Sequence, residues 1–423
     1  MGAVTRRTAL STQPLGQRRH RPDYWLLILS AILLAIGLIV VYAISPGLAV
    51  EKNVSQSYFI NKQFIAIGLG LVAFGLAAHF PLAAWRRLQN PLLIAAGLAT
   101  VAVRLFGEQV NGAYRWIQVG GMSFQAVELI KFALLVWLAG FLAARVREGN
   151  IGDFKQSLRP LLLVLAAIGV VVAGVQSDLG STGVMIAMMA AMSFVAGLPM
   201  RRILAIGGIV VLLLVMAVAT SSYRQDRLMT FLHPTQDCLN NGYQACQALI
   251  AVGSGGMIGL GLGRSVQAYG YLPEAENDSI FAIYSEKFGF IGVTVLLAVF
   301  IAFFARIKRI VERADSDFAR FLATGIFAWF AAQTIINVGA MLGLLPLKGI
   351  TLPFISYGGT SVVFVMGAVG LLFHISRYTL HSTPRSSASH DGAGYGRPAR
   401  AGASGPPVFL SRGDRRRPRS SNR

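Results

Sequence analysis

Charge is what this sequence has least of. Only 13% of its 423 residues are Asp, Glu, Lys or Arg, against 54% hydrophobic. So little charge cannot cover the surface of a water-soluble protein of this length, and that class is excluded. No segment repeats itself along the chain, which argues against a secondary transporter, a class commonly built from paired repeats. No small-residue cleavage site follows the first apolar run, Trp25–Ile44. The run is also longer than a signal-peptide core, so it reads as a retained helix. Cysteine is nearly absent: Cys238 and Cys246 stand eight residues apart in the longest loop. That loop faces the outside, where disulfides persist, but two cysteines fix no geometry, so a bond and two free thiols both stay open.

What is present is a series of apolar stretches of about twenty residues, each able to cross roughly 30 Å of hydrocarbon. No water is available there to satisfy backbone amides, so helices are expected. The fold class is therefore all-α, a polytopic membrane protein with about ten transmembrane helices, read at 24–44, 63–80, 91–106, 126–144, 159–175, 180–198, 203–220, 280–304, 320–343 and 358–376. The net charge of +20 does not point to nucleic acid, because it is distributed by side. With the N-terminus inside, 28 of the 38 Lys and Arg fall on the inner face, at 1–23, 86–87, 145–159, 201–202, 306–320 and from 377 onward. The positive-inside rule then makes both termini cytoplasmic. Residues 1–22 form a basic lead, 23–378 the membrane body, and 379–423 a tail rich in Ser, Gly, Pro and Arg that cannot bury a core. A basic tail beside a membrane attracts anionic lipid by about 1 kcal/mol per charge near the surface.

Two outer segments stand out, 106–125 and the loop 221–279 between the seventh and eighth helices. A loop this long in a compact protein is functional or disordered, and its aromatic and glycine pattern argues against disorder. Ionisable groups near membrane helices are functional candidates by default. Glu128 and Lys131 lie three apart on one helix face, either as a packing ion pair or as chemistry. Asp178 reads as the N-cap of the sixth helix. Glu274, Glu276 and Asp278 crowd the entry to the eighth helix, where Asn277 or Asp278 would cap it. Asp278 and Glu286 fall on one stripe through Ala282, which would aim both at the bundle interior, where a carboxylate near cations can act as a general base. The string GSGGMIGLGLG (253–263) follows no strand and reads as turns and close packing rather than a phosphate loop. LPFISYGGTS (352–361) brings Ser356 and Tyr357 to a turn that lines a site or simply ends a helix.

Six stretches in this order, NGAYRWIQVG, QAVELIK, QSDLGST, YRQDRLMTFLHPTQD, GYQACQALIAVGSGGMIGLGLGRSVQAYGYLPEAENDSIFAI and LPLKGITLPFISYGGTS, resemble the SEDS family of shape, elongation, division and sporulation proteins over 24–378. LPLKGITLPFISYGG resembles its division branch more than its elongation branch. The resemblance implies an inverting peptidoglycan glycosyltransferase that polymerises lipid II onto a growing glycan strand. It implies a bacterial plasma-membrane location at the division septum, a class B penicillin-binding protein as partner, and other divisome proteins nearby. Asp278 matches the family's essential aspartate, and Glu128 and Lys131 match its Glu and Lys. Asp278 would deprotonate the acceptor hydroxyl. Lys131, Arg115, Arg224 or a divalent cation (Mg2+ or Mn2+) would stabilise the departing pyrophosphate, and Glu128 would hold Lys131 or share the ion with Asp278. Ala126–Val127, Asn277, Ser279 and Lys287 depart from the family pattern but leave Asp278 and Lys131 in place. A lipid II flippase and a non-catalytic division scaffold are the alternatives.

Overall fold

A computed structural model describes residues 22–110, 113–119, 122–219, 225, 229–233, 238–240 and 242–378. The basic lead before residue 22, the tail 379–423, Arg224 and much of 220–237 lie outside them.

Helix α1 (Tyr24–Glu51) begins where the Asp23 carboxylate accepts from Leu26 N–H, 3.3 Å. Then come α2 (Tyr58–His79), α3 (Leu82–Phe106) and α4 (Ala126–Arg147). Next is α5 (Arg159–Ile168), prolonged by π-helical turns at Phe154–Leu158 and Gly169–Val175. Helix α6 (Leu179–Val195) starts at Asp178, whose carboxylate accepts from Ser181 N–H at 2.9 Å, as its cap reading requires. Helices α7 (Met200–Ala219), α8 (Tyr243–Ser254), α9 (Ile280–Arg313), α10 (Asp317–Met341) and α11 (Gly359–Ser376) complete the series. Each expected span overlaps one of these helices, and among the described residues α8 is an additional helix. Among the described residues, eight helices are long and apolar enough to cross a bilayer, and α6 is a shorter apolar helix. The chain is a polytopic helical membrane protein. Helices α4, α10 and α11 are mostly buried within it, whereas α2, α3 and the helix through α5 present most of their surface outward.

The segment before α4 is not helical. Strands β1 (Glu108–Val110), β2 (Ala113–Val119) and β3 (Met122–Gln125) form an antiparallel sheet in that order, with Trp116 opposite Gln125 and Val119 opposite Met122. The all-α expectation missed this. Its signal is in the sequence: Asn111–Gly112 and Gly120–Gly121 are hairpin dipeptides flanking an alternating run.

Connections that alternate along the chain meet at one face. Lys52, after α1, pairs with Glu276. Phe59 of α2 packs edge-on against Tyr357 before α11. Arg115 of β2 donates to the carbonyls of Gln176 and Ser177, between α5 and α6. Thr360 of α11 accepts from Gln125 N–H and donates to Ser123 O. At the opposite face Arg306 pairs with Asp23 at 3.2 Å, and Arg377 and Arg202 cap carbonyls. The basic clusters therefore sit away from the face where the loops converge.

Helix α9 is broken. Gly289 adopts φ 63°, ψ −166°, open to glycine and strained for any other residue. A break inside an apolar span frees backbone groups that lipid cannot satisfy. Here the glycine string supplies partners: Leu260 and Gly261 N–H donate to Glu286 and Lys287 carbonyls, and Phe290 and Ile291 N–H to Gly256 and Met257 carbonyls, all at 2.9–3.1 Å. A side chain at Gly259 or Gly289 would drive into the other strand of this contact. The string is a packing element, as its sequence suggested.

Candidate active site

The approach to α9 is a tight turn. Glu274 has φ 52°, and its carbonyl accepts from both Asn277 and Ser279 N–H. Ser279 precedes the helix, donates to Pro273 O and accepts from the Gln244 amide of α8. Neither Asn277 nor Asp278 caps α9. The turn instead turns Asp278, 7% exposed, into a small cleft lined by Ile336, Asn337, Ala340 and Met341 of α10 and by Lys348, Gly349 and Ile350. Gly349 has φ 62°, and a Cβ there would sit 3.7 Å from Asp278 Oδ2. Asn337 ties the cleft together, its Nδ2 donating to Asp278 O at 2.7 Å and to Ile350 O at 2.6 Å.

Asp278 Oδ1 has no partner among the described residues. Burial pushes its carboxyl up to about 7, with the nearby charges of Glu274 and Glu276 adding to it; the main chain and the Gln244 amide act in the opposite sense. A general base works deprotonated, so the rate should climb about tenfold per pH unit below 7 and level off above it. A pH profile of product formation from 5.5 to 9, in roughly half-unit steps, checks this; a flat profile through 7 would remove the carboxyl from the rate-limiting chemistry.

A second polar group gathers around Gln333, which lies one turn before Asn337 on α10 and meets α4. Lys131 Nζ donates to Glu128 Oε1 at 2.7 Å and to Gln333 Oε1 at 3.3 Å, 5.3 Å from the Trp329 ring centroid. Gln333 also accepts from Trp329 Nε1 and donates to the carbonyl and hydroxyl of Thr351. Gln333 and Asn337 thus tie the Glu128–Lys131 pair and the Asp278 turn directly to α10, and each also bonds one of the neighbouring residues Thr351 and Ile350.

A family model described as cell cycle protein, covering FtsW, RodA and SpoVE, matches residues 24–381. The chain belongs to this family. A probable peptidoglycan glycosyltransferase FtsW from Hydrogenovibrio crunogenus is 36% identical over 378 residues, spanning 88% of this chain and 96% of that one. Stage V sporulation protein E of Bacillus subtilis is 38% identical over 365 residues, 86% of this chain and 99% of that one. Among solved structures, a chain from a peptidoglycan synthase complex that coordinates polymerization and crosslinking matches with TM-score 0.69 and 26% identity, covering 84% of this chain and 98% of that one.

In this FtsW/RodA/SpoVE member the expected site residues separate. Asp278 occupies the cleft. Glu128 and Lys131 are paired but 3% and 1% exposed, and neither lines it. Arg115 holds the α5–α6 connection and does not line it either. Arg224 lies outside the described residues. Glu286 does not share the cleft with Asp278, contrary to the stripe reading: it accepts from Ser265 Oγ and from Val266 and Gln267 N–H, anchoring that loop. The reason is that Asp278 precedes the helix, so helical spacing does not extend back to it. Lys287 donates to Leu262 O at 2.7 Å instead of pairing with Glu286. Ser356 Oγ accepts from Leu352 N–H at 2.7 Å and closes a turn. Tyr357 lines a separate small cleft with Lys62, Ser123 and Gly359, and burial holds its phenol above the usual range. Cys238 and Cys246 are joined by a disulfide.

A divalent ion shared by Asp278 and Glu128 does not fit these donors. Glu128 is matched by Lys131 and absent from the cleft, and no group of three or more His, Cys, Asp or Glu gathers among the described residues. Three residues of the site went unassigned in the sequence reading: Lys348, Gln333 and Asn337. The last two were findable as polar residues four apart in an apolar helix, a spacing that puts them on one face.

Proposed function

We propose that this protein is a peptidoglycan glycosyltransferase that polymerises lipid II at the division septum, with both termini cytoplasmic and the Asp278 cleft on the outer face. The observation that carries the reading is Asp278 itself, a buried carboxylate one oxygen of which has no hydrogen-bond partner among the described residues, in a cleft that Lys348 also lines. Asp278 takes the proton of the acceptor GlcNAc 4-hydroxyl. The oxygen attacks the anomeric carbon of the strand's terminal MurNAc, the bond to pyrophosphate breaks, and configuration inverts. A second carboxylate is not needed, because pyrophosphate leaves without protonation by a general acid. It leaves more readily beside positive charge, and Lys348 is the cation lining this cleft. The names of the FtsW relatives support the activity, and the synthase-complex neighbour supports a penicillin-binding protein as partner.

The test is polymerisation of lipid II by the purified full chain, with and without a class B penicillin-binding protein and with Mg2+ present. Glycan strands are expected. No strands from folded protein with its partner would shift the reading to lipid II flipping or to a scaffold.

A further inference from the structure

Helix α8 has only twelve residues, and among the described residues no side chain caps its first turn. A helix so short is marginal alone and must be held by its surroundings. Its far end is seated on α9, where a Cβ at Gly255 would collide with the Ser285 carbonyl. Its near end is tied covalently: the Cys238–Cys246 bond joins the first turn of the helix to the segment that enters it. Gln244 lies inside that closed loop, two residues before Cys246. Its Nε2 donates to Ser279 Oγ at 3.1 Å. Ser279 is fully buried and its hydroxyl donates to Pro273 O at 2.9 Å. That hydroxyl therefore accepts from Gln244, which fixes the end of the amide that faces it. A chain of bonds thus runs from the disulfide through Gln244 to both ends of the turn that carries Asp278. The same amide is near enough to the Asp278 carboxylate to favour its charged form.

We propose that Gln244 is a positioning residue that fixes the turn carrying Asp278, and that the Cys238–Cys246 bond holds Gln244 in that place. The proposal rests on the glycosyltransferase reading. The charged groups near Asp278 are Glu274 and Glu276 of its own turn, Lys52, which pairs with Glu276, and Lys348 on the connection after α10. Gln244 and the disulfide are uncharged, so replacing them acts on the carboxylate through position and hydrogen bonding alone. Losing a donor that favours the carboxylate raises its pKa, and a base works deprotonated. The rate lost should therefore be largest at low pH, whereas lost packing would lower the rate equally at every pH.

The experiment follows lipid II polymerisation by the full-length protein across the pH range of the Asp278 profile. Gln244→Met removes the donor in nearly the same volume. Its kcat should fall about tenfold on the acid limb, with the midpoint moving up by about one pH unit and the loss shrinking to about twofold at the alkaline end. Cys238→Ser with Cys246→Ser should reproduce both changes. Adding Gln244→Met to that pair should cost no more than about another twofold, because the two act in one chain. An unchanged midpoint in Gln244→Met, or penalties that multiply in the triple variant, would overturn the inference and leave the glycosyltransferase reading standing. If wild type makes no strands, both fall. Should a variant not elute as folded protein, folded wild type is reduced with excess dithiothreitol until thiol labelling finds both cysteines free. A midpoint that rises then supports the inference, and one that stays put overturns it.

Discussion

Glycan strands should disappear when Asp278 becomes Asn, with polymerisation falling by about 10^3-fold or more, while the protein becomes more stable at pH 8. The first effect follows from losing the proposed general base of the cleft; a positioned base contributes about 10^2 to 10^4-fold. The second follows from linkage. The carboxyl titrates near 7 in the folded protein against an ordinary value of 3.8, so the folded state binds the proton more tightly. Between those values stability falls as pH rises, and above 7 the loss is complete. Asn, isosteric and neutral, removes a penalty of the order of a few kcal/mol at pH 8 and none at pH 3. Thermal unfolding of both proteins in one detergent at the two pH values reads this directly. A dead variant that is also less stable at pH 8 would mean that the loss came from misfolding. An active variant would take Asp278 out of the mechanism.

The membrane architecture was legible because hydropathy is a one-dimensional signal. A span needs about twenty apolar residues wherever it packs, and the Lys and Arg clusters reveal which ends share a side. The sheet before α4 was missed because the length of apolar runs dominated that reading, although its two turn dipeptides were in view. Asp278 was singled out through family resemblance and the crowding of acids, but its neighbours in the cleft were not. Asn337 and Lys348 lie 59 and 70 positions downstream of it, on a different helix and the loop beyond. Nothing in local spacing brings them to the cleft; the threading of α9 and α10 does. Glu286 shows the reverse error. Helical periodicity was carried two residues past the helix start, across a turn with Glu274 at positive φ, and so aligned side chains that serve different loops.

Replacing Lys131 with Met should destabilise the protein by about 3–5 kcal/mol, the range for breaking a buried ion pair by removing one partner. Glu128 would be left at 3% exposure, with Oε2 already lacking a partner among the described residues and Oε1 losing Lys131. Gln333 would lose one of the donors to its oxygen, yet retain Trp329 and Thr351. The double change Glu128→Gln with Lys131→Met removes both charges in nearly the same volume, and most of the stability should return. Comparing thermal midpoints of wild type, both single variants and the double isolates the pairwise term. Polymerisation in the same four proteins then separates the two roles the pair has been given. If the pair fixes α4 against α10, the refolded double variant should polymerise within about tenfold of wild type, the scale of a lost positioning contact. A double variant that is folded yet inert would show that Lys131 reaches the pyrophosphate. Since it is 1% exposed and turned toward Gln333 in the resting structure, the pair would then have to open during each turnover.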